Sequence, residues 1–156
     1  MLHHLAQINI LRFRLPMAHP ENAEFVRSLD RVNATAEAHP GFVWRLTDGG
    51  GASPDLRIHG DAQIELNMSV WTDVNALAAF VYRSETHREI MRRRHEWCEP
   101  IDGAMALWWV PEGHRPGVRE GEERLERLRQ LGPTQDAFSF KHPFPPPRFL
   151  DDRPDP

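Results

Sequence analysis

The chain has 156 residues, 40% hydrophobic and 27% charged, which fits one globular domain able to bury a core of its own. A formal net charge of −4 and an isoelectric point near 6.1 provide no broad electrostatic attraction for nucleic acid or for an anionic membrane surface. The single cysteine, Cys98, excludes an internal disulfide, no apolar run approaches the roughly 20 residues that cross a bilayer, and no signal-type apolar segment opens the chain, so a cytoplasmic location is expected.

In chain order, residues 4–13 (HLAQINILRF) alternate Gln7 and Asn9 against Ala6, Ile8 and Ile10, the two-residue period of a strand. After a loop ending at Pro20, Phe25, Val26, Leu29, Val32 and Ala36 form a helical stripe, which His39-Pro40-Gly41 breaks. Residues 42–46 (FVWRL) read as a second strand. A Gly-rich loop over 48–60 then leads to a third strand at 64–71, as in a hairpin with a long, mobile connection. In this third strand Asn67, Ser69 and Trp71 fall on one face and Leu66, Met68 and Val70 on the other.

Thr72 and Asp73 are suited to cap the next helix, where Val74, Leu77, Ala78 and Val81 recur at helical spacing. Ser84 offers a second N-cap for a helix that carries His87, Met91 and Arg94 on one side. Residues 103–111 (GAMALWWVP) give a fourth strand, and Leu125, Leu128 and Leu131 mark a last charged helix over 119–131, stopped by Gly132-Pro133. The order βαββαβ plus a helix predicts an α+β, ferredoxin-like domain over residues 1–141, with a four-stranded antiparallel sheet and helices on one face. The other face, with Ile8, Ile10, Leu66, Met68 and Val70, would then lie bare, so a homodimer packed sheet to sheet is expected. Residues 137–140 (AFSF) are a candidate edge strand or an arm toward a partner, and the Pro- and Asp-rich segment 142–156 reads as a disordered tail.

A polar sheet face beneath a helix suggests a lined pocket for a small molecule. Asn9, Asn67 and Ser69 would line it, or else satisfy one another. His87 lies in the first turn of its helix, where the dipole favours a neutral imidazole fit to act as base or ligand. Met91 and Arg94 share its face, Arg94 as a partner for a substrate carboxylate or phenolate; Arg45 is a weaker candidate of the same kind. Trp108 and Trp109 point to opposite faces of one strand, so at most one lines a pocket, and Trp108 is the one assigned to it. No HxxxH or CxxC pair supports a metal site, and Cys98 lacks the basic surroundings of a nucleophile.

The strings HLAQINI, GFVWRL, SVW, FVYRSETH, RRRHEW, LWWVPEGHRP and GPTQDAFSF together resemble an uncharacterised bacterial domain family of the dimeric α/β-barrel superfamily, over about residues 3–141. That superfamily includes antibiotic-biosynthesis monooxygenases and haem-degrading enzymes. The resemblance implies a barrel of two sheets and a pocket between sheet and helices in each subunit. By analogy with the cofactor-independent monooxygenases, it points to His87, Asn67 and Trp71 as catalytic groups and to Asn9, Ser69, Tyr82, Met91, Arg94 and Trp108 as substrate contacts. The substrate would be aromatic or polyketide-like, and no cofactor would be needed. Haem-degrading relatives carry a helix Trp and a proximal His where this chain has Phe80 and Met91, so a haem alternative would need His87 or His95 as axial ligand. A non-catalytic binding or assembly domain is the third reading.

Overall fold

Strand β1 (His3–Phe13) is the axis of the computed structural model, which describes residues 2–47 and 63–148. Its alternation puts Leu5, Gln7, Asn9 and Leu11 on one face and Ala6, Ile8 and Ile10 on the other. Helix α1 (Ala23–Glu37) follows, after a short 3-10 turn at Pro20–Asn22. Strand β2 (Phe42–Arg45) then lies at the sheet edge beside β3 (Ile64–Trp71), which pairs antiparallel with β1 so that Gln7 opposes Ser69 and Asn9 opposes Asn67. The turn between α1 and β2 needs Gly41: its φ of 87° is left-handed, and a Cβ there would lie 2.4 Å from that of Ala76.

The broken helix is real. Helix α2 (Val74–Arg83) starts at Asp73, whose carboxylate accepts a hydrogen bond from the Ala76 amide, and α3 (Glu85–Arg93) starts at Ser84, whose hydroxyl accepts from the His87 amide. A two-residue strand, β4 (Cys98–Glu99), then pairs with the end of β1, and β5 (Met105–Pro111) pairs with its first half. The order across the sheet is β2, β3, β1, with β5 and β4 sharing the far edge of β1. This is the ferredoxin-like α+β arrangement, and α1, α2 and α3 cover one face of it with Phe25, Val32, Leu77, Phe80 and Ile90 packed on Leu5, Phe13, Trp71 and Leu107. The sequence missed β4, because two residues carry no periodicity.

The second face is not bare. Helix α4 (Val118–Leu131) lies across it, and Leu125 packs with Ala6, Ile8, Met68, Val70, Ala106 and Trp108; within the single chain Ile8 is 0% and Met68 1% exposed. Gly121 lets the helix approach, since a Cβ there would lie 2.7 Å from Cδ1 of Ile8. The argument that this face needs a second copy therefore fails: the charged outer side of α4 hid an apolar stripe that caps the sheet from within the chain.

The segment after α4 returns to the sheet edge. Phe138 exchanges both backbone hydrogen bonds with Leu107 of β5, which places residues 137–140 at the edge as expected. The chain stays packed beyond Lys141: the Trp109 indole donates to the Phe144 carbonyl at 2.8 Å, and the Phe138 and Phe144 rings meet at 5.9 Å. The contacts of this segment reach Pro145, whose carbonyl accepts from Gln135; 149–156 and the Gly-rich loop 48–60 lie outside the described residues. Among the described residues no helix is long and apolar enough to cross a membrane.

Candidate functional site

Between the β1–β3 face and helices α1 to α3 lies a cavity of about 150 Å³. Helices resting on a sheet face that carries short polar side chains leave a space there that aliphatic residues would have filled. Phe25, Leu29, Val32, Leu77, Phe80 and Ile90 form the helical walls, and Gln7, Asn9, Asn67, Ser69 and Trp71 the sheet floor. The alternation of β1 and β3 aims all five floor residues the same way, and the pairing register sets Ser69 beside Gln7 and Asn67 beside Asn9.

The floor is a hydrogen-bonded ladder. The Gln7 amide nitrogen donates to Asn67 Oδ1 at 2.8 Å and to Ser69 Oγ at 2.7 Å, which uses both of its hydrogens. Ser69 Oγ also accepts the Trp71 indole N–H at 2.9 Å, and Asn67 Nδ2 reaches Asn33 Oδ1 of α1 at 3.4 Å, a long and weak bond. Asn9 is outside the ladder, and its Oδ1 is buried with no partner among the described residues. Trp71 stacks on Phe80 with centroids 5.3 Å apart, and Phe80 meets the His87 ring edge-on at 5.2 Å.

His87 lines the cavity together with Asn67 and Trp71. Its Nδ1 lies 3.1 Å from the Val81 carbonyl; because a carbonyl only accepts, this bond puts the proton on Nδ1 and leaves Nε2 with a lone pair. Burial holds its pKa below 6.5, the Val81 bond opposes that shift, and the nearby Arg94 charge adds to it. The arrangement is a neutral imidazole, fixed in tautomer and orientation by a backbone carbonyl, beside an apolar cavity.

Of the other expected site residues, Asn9, Ser69 and Met91 line the same cavity. Three do not. Trp108 is on the opposite face beneath α4, where its indole donates to Glu120, because β5 turns its even-numbered residues from Ala106 to Val110 away from the helices. Trp109 does not line the cavity either, since Phe138 and Phe144 cover it. Arg94, the C-cap of α3, is exposed and does not line the cavity, although its charge is felt at His87. Tyr82, 61% exposed, lies one step round α2 from the lining Val81 and packs its ring on Phe140 at 5.6 Å.

Gln7, Asn33, Glu65 and Phe140 line the cavity without having been singled out. Gln7 was findable from its alternation with Asn9, whereas Phe140 arrives from a distant segment that no local pattern joins to the site. Arg45, the weaker candidate, also lines the cavity, opposite Ser69 in the β2–β3 pairing, and its guanidinium is ion-paired with Glu37. Cys98 is buried, with its thiol pushed up to about 11 by desolvation, a poor nucleophile.

Haem does not fit. A cavity of about 150 Å³ is the size that holds a benzene ring, far below a tetrapyrrole. His95, the second candidate ligand, is exposed beyond α3 with its Nδ1 3.0 Å from the Arg92 carbonyl, and it does not line the cavity. Among the described residues no three His, Cys, Asp or Glu side chains cluster as metal ligands would.

Solved structures resemble this fold at low identity. A Nitrosomonas europaea protein with a proposed antibiotic biosynthesis monooxygenase activity superposes with a TM-score of 0.51 at 12% identity, over 75% of this chain and 97% of its own. SnoaB, a cofactor-independent oxygenase from Streptomyces nogalater, gives 0.47 at 16%, over 72% and 95%. A conserved protein from Methanosarcina mazei gives 0.49 at 15%, over 70% and 92%. At these identities the likeness extends to the fold, of the antibiotic-biosynthesis-monooxygenase type, and no further. No curated protein sequence matches the chain. The model of the family described as "Domain of unknown function (DUF3291)" matches residues 4–153, and the chain belongs to that family.

Proposed function

We propose that this protein is a small-molecule enzyme of the cofactor-independent oxygenase or isomerase kind, acting on a small aromatic substrate in the cavity between sheet and helices. The observation that carries this reading is the shared cavity of His87, Asn67 and Trp71, with the His87 tautomer set by Val81. His87 Nε2 would remove a proton from an acidic O–H or C–H of the substrate, and the weakly committed Asn67 Nδ2 would donate to the oxyanion that forms. Trp71, its indole N–H held by Ser69, would act as a wall and a positioning residue rather than as a donor. No cofactor takes part in this reading.

The resulting carbanion has two outcomes. Returning the proton to another carbon is isomerisation. Adding dioxygen to a CH₂ carbon gives a peroxide, and loss of water from it leaves C=O, with one oxygen atom retained and the other carried off with two substrate hydrogens. The apolar walls favour both by excluding water from the carbanion. For partners we propose the substrate and, at most, weak self-association, since α4 covers the centre of the second face and leaves half-buried residues such as Trp44, Leu46 and Leu66 beside it. A lone buried thiol is consistent with the cytoplasmic location proposed here.

The test is dioxygen uptake and solvent-deuterium incorporation with a set of enolisable hydroxyaromatic compounds, comparing the wild type with His87→Gln. Turnover lost in the variant supports the reading. Binding without uptake or exchange in the wild type would assign the cavity to a non-catalytic binding protein.

A further inference from the structure

The walls of the cavity are built from helices and strands with one exception. Phe140, alone among the described residues that line it, stands in a turn, 139–142, where the His142 amide donates to the Ser139 carbonyl at 3.2 Å. That turn is fastened on both sides. Before it, Phe138 exchanges backbone hydrogen bonds with Leu107 at 2.9 and 2.8 Å; after it, the Phe144 and Pro145 carbonyls accept from the Trp109 indole and the Gln135 amide. A turn held at its two ends moves more readily than strands and helices held by a full ladder, so Phe140 is the wall most easily displaced.

Its position is that of a mouth. The antiparallel bridge to Leu107 sends the chain from Phe138 back alongside β5 toward Met105, which opposes Asn9 on β1 and lines the cavity too. Along the floor Gln7, Ser69 and Trp71 are buried, whereas Asn9, Asn67 and Met105 are half-buried, so the cavity is shut at its Trp71 end and opens toward the end where Phe140 arrives. Phe140 is itself half-buried. Its ring meets that of Tyr82 at 5.6 Å, and Tyr82, 61% exposed and not part of the lining, backs it from outside the cavity.

We infer that Phe140 is a specificity-determining residue: its ring, held in place by Tyr82, closes the cavity on the β5 side and restricts what reaches His87 to molecules the size of a single ring. This rests on the reading of the cavity as a small-molecule site and adds the residue that decides what enters. With Phe140 in place, a volume of about 150 Å³ holds one six-membered ring. Without its side chain the same space would extend past Met105 and accept a fused pair of rings.

The experiment alkylates the protein with phenacyl bromide, which carries one ring, and with its two-ring analogue, bromomethyl naphthyl ketone. The Nε2 lone pair of a neutral imidazole displaces bromide from either reagent, and peptide mass spectrometry reads labelling at His87 against the exposed His95 of the same chain. In the wild type the one-ring reagent is expected to label His87 about tenfold or more faster than the two-ring reagent, relative to His95. Phe140→Ala should abolish that preference. Tyr82→Ala, which removes one ring contact, should reduce it by about two- to tenfold, and this variant decides the matter if Phe140→Ala does not fold. Equal labelling by both reagents in the wild type would overturn the inference, as would the same preference in Phe140→Ala, or labelling of His87 by neither reagent in any of these proteins. A preference lost in Arg45→Ala and kept in Phe140→Ala would overturn it too, by placing the mouth at the β2 edge. Labelling needs no turnover, so a size preference set by Phe140 in a protein without dioxygen uptake or exchange would keep this inference and remove the enzymatic reading.

Discussion

Asn9 and Asn67 oppose each other directly across β1 and β3, yet Asn67 is tied to Gln7 and Asn33 while the Asn9 Oδ1 has no partner among the described residues. Two amides in the same row of the sheet therefore have opposite energetics. One is tied into the ladder and the other is buried without a partner among the described residues.

That difference gives mutations of opposite sign. Asn9→Leu removes an unpaired buried group and adds apolar contact, so it should leave stability unchanged or raise it by about 1 kcal/mol. Gln7→Leu breaks two hydrogen bonds and leaves the Asn67 oxygen unpaired, so it should lower stability by about 1–3 kcal/mol. Urea denaturation of both variants checks this, and a loss of equal size in the two would contradict it.

Trp71→Phe separates wall from donor. The indole N–H is held by Ser69, so the variant should lose about 1–2 kcal/mol of stability through the freed hydroxyl and the smaller ring. Ligand affinity should change less than in Asn9→Leu. Comparing the melting temperature of the two variants with their affinity for a hydroxyaromatic compound distinguishes the roles.

His87 sets a pH dependence. Its folded pKa lies below its ordinary 6.5, so between those two values the unfolded chain binds the proton more readily than the folded protein does. Stability linked to this group should be intact above pH 6.5 and fall as the pH drops through 6.5 toward the lowered value. Activity that needs the neutral imidazole should be lost on the acid side as well. The His87→Gln variant should show a flatter dependence of stability on pH between 5 and 7, measured by denaturation at each pH.

Gly121→Val tests whether α4 holds the second face. A Cβ already falls 2.7 Å from Ile8 Cδ1 and 3.1 Å from Met68 Sδ, and valine adds two methyls to it, so the variant should lose about 1–3 kcal/mol. Light scattering should give the 18.1 kDa monomer for the wild type at micromolar concentration. The variant should form dimers or larger species as Ile8, Met68 and Trp108 lose their cover. A wild-type dimer at that concentration would contradict the role given to α4.

Truncation after Lys141 removes Phe144 from the Trp109 indole and the Phe138 ring. It should lower stability by about 1–2 kcal/mol, the scale of one hydrogen bond and one aromatic contact. A melting temperature unchanged by this truncation would return residues 142–148 to the status of a free tail.

Much of the fold was legible in the sequence because the two-residue period of β1 and β3 and the caps at Asp73 and Ser84 are local signals. Those same signals placed Asn9, Asn67, Ser69, Trp71 and His87 on the face that now lines one cavity. Other features depend on distant parts of the chain. Whether Trp108 or Trp109 faced the helices required knowing which face of β5 joins which face of β1. Arg94, at the C-cap of α3, keeps its charge near His87 but turns its side chain to solvent, which the spacing alone does not reveal. The α4 cap was missed because a helix rich in Glu and Arg reads as solvated, although Leu125 and Gly121 on its inner side are enough to seat it.

The central claim, a neutral base with a free Nε2 facing a ligand, is tested most directly by nitrogen NMR of the His87 imidazole. The account predicts the Nδ1–H tautomer, a pKa below 6.5, and an Nε2 resonance that shifts when an enolisable hydroxyaromatic compound is added. A pKa at or above 6.5, or an Nε2 signal indifferent to the ligand, would contradict it.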